Sequence, residues 1–460
     1  MSTGARRAPS GMTAFWIVWV GQLVSLLGSG LTQFALTIWL FRETGRATEL
    51  ALMGVYFMVP LLVMSPVVGV MVDRYDRKLM MMLSDLAAGV TTVAIFALYV
   101  TGSLEIWHLY VNAAINGFFQ GFQWPAYSAA LALMVPKKDY VRVSSLLEIV
   151  GPASGIVSPI LGGAIIGFGD TAGFDGVAAI MIIDIVTFVA AIGTLLLIHI
   201  PRPEQTTPRE KGASGFFKEA VYGFRYIFER PPLLALQGVF LLCNLFFGIA
   251  AGTLLAPMIL ARTDSNALLF GSMETIGAVG MVIGGLVIGA WGGFKRRVNG
   301  VLLGWALSFI GILITGLGRP EPAWMIGVWS AGILVSALVA SLVNSSNQAI
   351  WMAKVAPEVR GRVFTTRRLI AWLASPLANL IAGPLADRVM EPAMGGGGAL
   401  VGLFGGLVGT GPGSGMSLLF VFSALAGLCV VLVAYLSPIV RNVEDLLPDH
   451  EVAVEAAAIA

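Results

Sequence analysis

Twelve long apolar runs constrain this chain more than any other feature of its sequence. Each run is long enough to cross a hydrocarbon core about 30 Å thick as an α-helix, and too long for barrel strands, which alternate over about 10 residues. With 57% hydrophobic and 12% charged residues, the sequence predicts an all-α membrane protein with twelve transmembrane helices. The predicted spans are 14–41, 50–72, 79–100, 107–134, 146–168, 177–200, 233–261, 266–290, 298–318, 323–350, 365–387 and 416–438.

The basic residues indicate how these spans are oriented. If the N-terminus is cytoplasmic, 23 of the 28 Lys and Arg residues fall in cytoplasmic segments and 5 in external ones. Cytoplasmic loops of membrane proteins have this excess. We therefore predict a multi-pass protein of the plasma (inner) membrane with both termini in the cytoplasm. The uncharged stretch 8–41 exceeds the apolar core of a cleavable signal peptide, and it is interpreted as a retained first span.

An internal repeat divides the twelve runs into two sets of six. Ser-Pro at 158–159 precedes Asp170 as Ser-Pro at 375–376 precedes Asp387, and both matches share an offset of 217 residues. Such parallel repeats are common in transporters. The predicted organisation is an N-terminal six-helix bundle (1–200), a cytoplasmic linker with an amphipathic helix (201–232), a C-terminal six-helix bundle (233–440) and a cytoplasmic tail (441–460). The two bundles are expected to form a pseudo-two-fold repeat around a central cavity.

Several kinds of chemistry have no support in the sequence. The chain lacks the G-x-x-x-x-G-K-[ST] phosphate-binding loop, its three histidines have no metal-ligand spacing, and Cys243 and Cys429 lie inside apolar runs. We predict that the protein is not an enzyme and has neither a cofactor nor a metal site. The net charge of +2 gives no indication of a nucleic-acid partner. If the protein moves a solute uphill, the energy has to come from an ion gradient, and a proton gradient is expected.

Carboxylates inside the spans are candidates for proton coupling. An ionisable side chain in a bilayer costs at least about 2.5 kcal/mol, so it normally faces a cavity or a partner. Asp184 and Glu274, in the outer thirds of their spans, are predicted to take up and release protons. The alternative is a salt bridge, or a hydrogen bond to a neighbouring helix. That structural alternative is favoured for Asp85 and Glu148, which lie near the basic inner surface.

The fourth span is the most polar, and its polar residues fall on one face. Asn112, Asn116, Gln120 and Gln123 follow i, i+4, i+8, i+11 spacing, with Trp124 beside them. This stripe is predicted to line a water-filled cavity that contacts an amphipathic solute. Interhelical hydrogen bonding is the alternative for any one of these residues. Other spans add further polar candidates, namely Gln22, Gln33, Asn244, Asn344 and Asn347.

Two motifs resemble those of a known family. Between the second and third spans, five charged residues fall within the six positions 73–78, one helical turn after a glycine. The residues are Gly69, Asp73, Arg74, Asp76, Arg77 and Lys78. This pattern resembles the loop motif of the major facilitator superfamily. Ser158, Pro159, Gly162 and Gly163 in the fifth span are similar to that superfamily's exporter motif, although Ser154 and Ser158 stand where the motif has glycine.

The resemblance covers essentially the whole chain and is nearest to the macrolide-efflux and enterobactin-exporter branch. It implies two six-helix bundles that open alternately to each side of the membrane. It also implies a gating role for the loop, in which Asp73 caps a helix end and Arg77 is its charge partner. One position departs from many proton-coupled members: Gly117, three residues before Gln120, occupies the place of their arginine. Weight therefore shifts to Asp184 and Glu274.

The predicted function is secondary active transport that exports an amphipathic organic compound, such as a drug, a macrolide or a secreted metabolite. Alternating access with proton antiport is the expected mechanism. A lysophospholipid or siderophore transporter or flippase is the main alternative, and a non-transporting membrane scaffold or receptor is less favoured. The expected partners are the small-molecule substrate and membrane lipids, and the protein is expected to be a monomer.

Overall fold

The structure, a computed structural model, describes residues 11–74, 76–136, 139–198 and 213–450. Within these ranges the regular secondary structure is helical, without strands. A chain in lipid has to satisfy its backbone N–H and C=O groups internally, and an α-helix does so within a single segment. The all-α fold predicted from the sequence is therefore confirmed, and eleven described helical stretches are long and apolar enough to cross a membrane.

All twelve predicted spans coincide with helices. Those of the first half are α1 (Gly11–Thr44), α2 (Ala47–Arg74), α3 (Arg77–Val100), α4 (Ile106–Met134), α5 (Tyr140–Ala172) and α6 (Gly176–Leu197). In the second half, the seventh span is formed by α8 (Pro231–Phe247), a π-helical segment (Gly248–Leu254) and α9 (Leu255–Arg262). The others are α10 (Ala267–Trp291), α11 (Arg297–Leu317), α12 (Ile326–Lys354), α13 (Pro357–Leu385) and α16 (Ser414–Leu436).

Shorter helices complete the chain. The predicted linker helix is present as α7 (Ala213–Phe228), and α13 continues through a π-helical turn (Ala386–Met390) into α14 (Glu391–Met394). A short helix α15 (Val401–Val408) lies in the glycine-rich stretch before α16. Two further turns of helix follow α16, namely α17 (Pro438–Arg441) and α18 (Val443–Leu446).

The fourth span is α4, which has 29 residues and is long enough to cross a bilayer but is not among the eleven stretches apolar enough to do so by composition. Its polar stripe lowers its mean hydropathy. Because a helix that faces other helices on several sides can present polar groups to them rather than to lipid, this composition indicates an interior position.

The chain divides into two compact units. Unit 1 comprises Met1–Leu40, Tyr56–Gly212 and Asn266–Ser272. Here α3 packs against α4 and α6. The ring of Phe188 on α6 occupies the space beside Gly89 on α3, where an added Cβ would lie 2.3 Å from it. A cluster of fully buried side chains that includes Phe15 and Met81 forms the apolar core of this unit.

Unit 2 comprises Phe41–Val55, Ala213–Ser265 and Met273–Ala460. Its most extensive helix pair is α11 with α12, which share a buried hydrogen bond of 3.0 Å between the hydroxyls of Ser308 and Ser336. Close approach of α10 to α12 depends on Gly284, because a Cβ there would lie 2.0 Å from the carbonyl oxygen of Leu338. Small residues at such positions let membrane helices pack through their backbones.

The offset of 217 residues found in the sequence recurs in the helix contacts. In unit 2, Gly54 on α2 lies against Asn379 on α13, with an added Cβ 2.5 Å from the side-chain nitrogen. In unit 1, Gly271 on α10 lies against Pro159 on α5, with an added Cβ 2.2 Å from the carbonyl oxygen. Gly54 and Gly271 are 217 residues apart. The two halves of the chain therefore use equivalent glycines for equivalent helix contacts.

Candidate functional site

Unit 1 contains a cavity of about 440 Å³ that is enclosed by α1, α3, α4, α5 and α6. Polar and aromatic side chains alternate on its wall. The residues that line it are Gln22, Ser25, Leu26, Ser29, Ser84, Asp85, Ala88, Gly89, Thr92, Asn116, Phe119, Gln120, Gln123, Trp124, Tyr127, Val150, Gly151, Ser154, Gly155, Asp184 and Phe188. A pocket of this size with a few convergent polar groups is typical of small-molecule sites.

Asp85 is the centre of a carboxamide network on one side of the cavity. Its side chain is buried, and each carboxylate oxygen accepts a hydrogen bond, from Gln22 Nε2 at 2.8 Å and from Gln123 Nε2 at 2.6 Å. Gln123 Nε2 also donates to Gln22 Oε1 at 3.1 Å. The network joins α1, α3 and α4 through neutral partners. The sequence-based interpretation of Asp85 as hydrogen-bonded to a neighbouring helix is consistent with this geometry, but the group also faces the cavity.

Asp184 occupies a different polar environment in the same cavity. Thr92 Oγ1 lies 3.1 Å from one carboxylate oxygen, and Ser29 Oγ lies 3.4 Å from the other. The close approach of α1 to this carboxylate depends on Gly28, where a Cβ would lie 2.8 Å from Asp184 Oδ1. Hydroxyl groups both donate and accept hydrogen bonds. The Asp184 carboxyl can therefore keep hydrogen-bond partners in its ionised and in its protonated form.

The cavity has negative groups and no positive ones among the described residues that line it. Its titratable lining residues are Asp85, Asp184 and Tyr127. The Tyr127 side chain is 4% exposed, and its hydroxyl has no hydrogen-bond partner among the described residues. Buried polar groups are usually paired, so an unpaired hydroxyl at a cavity wall indicates a place for a ligand or water.

The exporter-like motif of α5 forms the packing surface behind this cavity. Ser154 Oγ and Ser158 Oγ donate to the carbonyl oxygens of Leu26 and Leu27 on α1, at 3.2 and 3.1 Å. These hydroxyls stand where the family motif has glycine, and they bind α1 through hydrogen bonds instead of leaving it in bare contact. Pro159 is the residue whose carbonyl lies against Gly271.

The two glycines of that motif allow close contacts on either side of α5. A Cβ at Gly162 would lie 2.7 Å from the ring of Phe34, and one at Gly163 would lie 2.6 Å from the carbonyl oxygen of Ala267. The ring of Phe34 is in turn stacked on Phe270, with centroids 5.4 Å apart. The motif residues therefore pack α5 against α1 and against the first turn of α10.

The structure brings four of the predicted cavity residues together and leaves the others elsewhere. Asn116, Gln120, Gln123 and Trp124 line the cavity, as does Asp184. Asn112 is one turn away on α4 and accepts a hydrogen bond from Asn116 Nδ2 at 2.9 Å. Gln33 lies on an exposed face of α1. Neither of these two residues lines the cavity.

The predicted cavity residues of the second half all lie in unit 2. Asn244 and Asn344 donate to the carbonyls of Phe240 and Ala340, each one turn earlier in its own helix, at 2.7 and 3.0 Å. Asn347 is 1% exposed, and its Oδ1 accepts from the indole nitrogen of Trp351 at 3.1 Å. These hydrogen bonds are local to α8 and α12.

Glu274, the second predicted proton carrier, lies on α10 in unit 2. Its side chain is partly exposed, and among the described residues its carboxylate has no hydrogen bond or salt bridge. Glu148, predicted to be structural, is exposed near the start of α5. The roles of these carboxylates stay predictions.

Only part of the predicted gating loop belongs to the described structure. Asp76 caps the N-terminus of α3, with Oδ1 accepting from the Lys78 backbone N–H at 2.9 Å. Lys78 Nζ donates to the carbonyl of Ile198, at the end of α6, at 2.5 Å. Gly69, Asp73 and Arg74 lie in the last turns of α2 and Arg77 begins α3. The side chains at these positions, and so the predicted pairing of Asp73 with Arg77, lie outside the described part of the chain.

Sequence reasoning missed Asp85, Ser29 and Thr92 as cavity residues. A signal for α1 was available, since Gln22, Ser25 and Ser29 follow i, i+3, i+7 spacing and form a polar stripe. Asp85 and Thr92 are also seven residues apart on one face of α3. Polar stripes on three consecutive helices would have been a stronger indication of a shared cavity than the stripe of α4 alone.

Comparison with known proteins places this geometry in context. The model of the family described as Major Facilitator Superfamily matches residues 18–378. Macrolide efflux protein A of Streptococcus pyogenes is 28% identical over 381 residues, covering 82% of this chain and 90% of that protein. Enterobactin exporter EntS of Shigella boydii is 25% identical over 315 residues, covering 68% of this chain and 72% of that protein.

Solved structures share the fold. A bacterial homologue of the human lysosomal transporter Spinster superposes with a TM-score of 0.64 at 14% identity, covering 92% of this chain and 94% of that one. A bacterial homologue of the iron transporter ferroportin gives a TM-score of 0.63 at 14% identity, with 92% and 98% covered.

Proposed function

This chain belongs to the Major Facilitator Superfamily, and we propose that it is a secondary active transporter that exports an amphipathic organic compound in exchange for protons. Membership makes it a multi-pass, non-enzymatic membrane transporter. The direction of transport, the substrate and the coupling ion are the proposal. So are the placement in the plasma (inner) membrane with both termini cytoplasmic, the monomeric state and the absence of a bound cofactor.

The observation that supports proton coupling most strongly is Asp184 in the cavity of unit 1. Its carboxylate is 3% exposed, faces the cavity and has hydroxyl partners that suit both protonation states. Such a group can exchange a proton for a solute without leaving an unpaired hydrogen-bonding atom in either state. Because no cation lines the cavity among the described residues, a proton or a positively charged solute is needed to compensate the charge.

Two observations favour export. The relatives at 28% and 25% identity are named as an efflux protein and an exporter. The exporter-like residues of α5 also make the close contacts that the motif's small residues permit, with α1 and with the start of α10. Amphipathic solutes suit a wall on which carboxamides and hydroxyls alternate with Phe119, Trp124 and Phe188.

Transport into inside-out membrane vesicles tests the proposal. Their lumen corresponds to the outside of the cell, so an acidic lumen should drive uptake of the exported compound. The panel should contain a macrolide, a cationic dye, a siderophore and a lysophospholipid. We expect uptake of at least one compound that a protonophore abolishes. Uptake that ignores the imposed pH gradient would remove proton coupling, and uptake of the lysophospholipid or the siderophore alone would favour the alternative substrates.

Substitution of the two predicted proton carriers makes the test specific. Asp184→Asn should abolish gradient-driven uptake while preserving exchange of labelled for unlabelled substrate, because exchange needs binding but no net proton movement. Glu274→Gln tests the second carrier in the same way. Glu148→Gln, an exposed carboxylate on α5, is the matched control and should transport normally. Normal gradient-driven uptake by the Asp184 variant would exclude that residue as the coupling group.

A further inference from the structure

The cavity of unit 1 presents two buried carboxylates without a compensating cation. Asp85 is 6% exposed and Asp184 is 3% exposed. Among the described lining residues there is no lysine, arginine or histidine. A buried charge without a partner is costly in a low-dielectric site. Two negative groups in one cavity therefore favour occupants that bring positive charge.

The two carboxylates differ in the chemistry of their partners. Asp85 accepts from the amide nitrogens of Gln22 and Gln123, at 2.8 and 2.6 Å, and an amide N–H₂ group can only donate. Protonation of Asp85 would place a donor hydrogen against donor groups on both sides. Asp184 has hydroxyl partners, which can reverse their role. Asp85 is thus suited to remain an anion and Asp184 to exchange a proton.

Tyr127 provides an independent indication of a ligand. Its hydroxyl is buried at the cavity wall and has no partner among the described residues. The only hydrogen of this hydroxyl is free to bind an acceptor oxygen or nitrogen on an occupant. Trp124, whose ring centroid lies 6.3 Å from that of Tyr127, adds an aromatic face. Aromatic faces attract organic cations as well as apolar groups.

We propose that this cavity selects amphipathic organic cations, with Asp85 as the fixed counter-charge and Tyr127 as a hydrogen-bond donor to the same molecule. The inference rests on the proposed transport function in that it assigns the charge class of the substrate. It divides the labour between the two aspartates, so that Asp85 binds the positive charge and Asp184 exchanges the proton. An anion of the same shape is excluded by the two carboxylates.

Two ions of matched shape and opposite charge test the proposal directly. Tetraphenylphosphonium and tetraphenylborate present the same four phenyl groups with a positive and a negative charge. Binding of each is measured to the purified full-length protein in detergent, without any gradient and with empty micelles as the blank. We expect the cation to bind at least about tenfold more tightly than the anion, since like-charge contacts in a buried site cost several kcal/mol. Equal affinity for the two ions would overturn the proposal.

Variants assign the effect to Asp85. Asp85→Asn should weaken binding of the cation at least about tenfold and leave the anion unaffected or better bound, whereas Asp85→Glu should keep the preference for the cation. Gln22→Ala should weaken cation binding, while Gln33→Ala, the same change on an exposed face of the same helix, should not. Unchanged cation affinity in a folded Asp85→Asn protein, judged by a wild-type unfolding profile, would refute the role given to Asp85.

The hydroxyl of Tyr127 is tested with a second pair of ligands. Tetraphenylphosphonium has no hydrogen-bond acceptor, so Tyr127→Phe should bind it as the wild type does. The cationic ester dye rhodamine 6G has acceptor oxygens and should lose affinity several-fold in the same variant. Equal losses for both ligands, or none for the dye, would contradict the assigned contact. Because these assays use no gradient, charge selectivity can fail while proton-driven export persists, and export can fail while charge selectivity persists.

Discussion

Gly163 is the position at which the packing of α5 makes the sharpest prediction. A Cβ added there would lie 2.6 Å from the carbonyl oxygen of Ala267 and 2.9 Å from the Cα of Leu268. Both contacts are to backbone atoms, which cannot rotate out of the way. Gly167, one turn later on the same helix, is the matched control, since its Cβ would lie 3.6 Å from the Cβ of Leu268, an ordinary van der Waals contact.

The expected magnitude follows from these distances. Gly163→Ala and Gly167→Ala gain the same intrinsic helix preference, about 1 kcal/mol per residue, so this contribution cancels when the two are compared. Overpacking at a site that cannot relax costs about 1–3 kcal/mol. We therefore expect the free energy of unfolding of the Gly163 variant to lie about 1–3 kcal/mol below that of the Gly167 variant.

Reversible unfolding in mixed micelles of mild detergent and dodecyl sulfate measures this difference. Helicity and tryptophan fluorescence should report the same midpoint in each variant, and the shift in midpoint gives the difference in free energy. If the two variants unfold at the same dodecyl sulfate fraction, or if Gly163→Ala is the more stable, then α5 and the start of α10 do not pack as closely as described here.

Two further predictions concern helix ends in unit 2. The Asp387 carboxylate accepts hydrogen bonds from the first backbone N–H groups of α2, those of Ala47 at 3.1 Å and Thr48 at 2.7 Å; Asp387→Ala should cost this cap about 1–2 kcal/mol and speed amide exchange at both positions about 5–30-fold, and unchanged exchange would contradict the capping role. The ammonium of Lys354 binds the Asp449 carboxylate at 2.7 Å and the carbonyls of Glu444 and Leu447; Lys354→Met should release residues 443–449, seen as faster tryptic cleavage after Arg441, and a wild-type cleavage rate would refute this anchoring.

The twelve spans could be predicted from the sequence because the bilayer imposes a minimum length and excludes charge. Predicted and observed ends agree within a few residues for most helices, and α4 was recognised from its lack of charge although it is the least apolar. The repeat could also be predicted, since the same offset relates Ser158-Pro159 to its copy and Gly54 to Gly271. Both depend on local composition or spacing, which the sequence contains directly.

The cavity was predictable only where a single helix determines it. Asn116, Gln120, Gln123 and Trp124 share a face of α4 because of helical periodicity alone. The position of Asp85 between Gln22 and Gln123 depends on how three helices pack, and no pattern within α3 specifies it. The same limit explains why Asn347 was a cavity candidate: its polarity was evident, but its hydrogen bond to Trp351 was not.

Proton release on substrate binding tests the central claim most directly. The claim is that Asp184 exchanges a proton for the substrate inside the cavity of unit 1. In weakly buffered detergent solution, saturating wild-type protein with the transported compound should release about one proton per bound molecule under conditions in which Asp184 is protonated before binding. Asp184→Asn should bind the same compound and release none. Equal release from the two proteins, or binding to the wild type without release across the pH range of transport, would contradict the account.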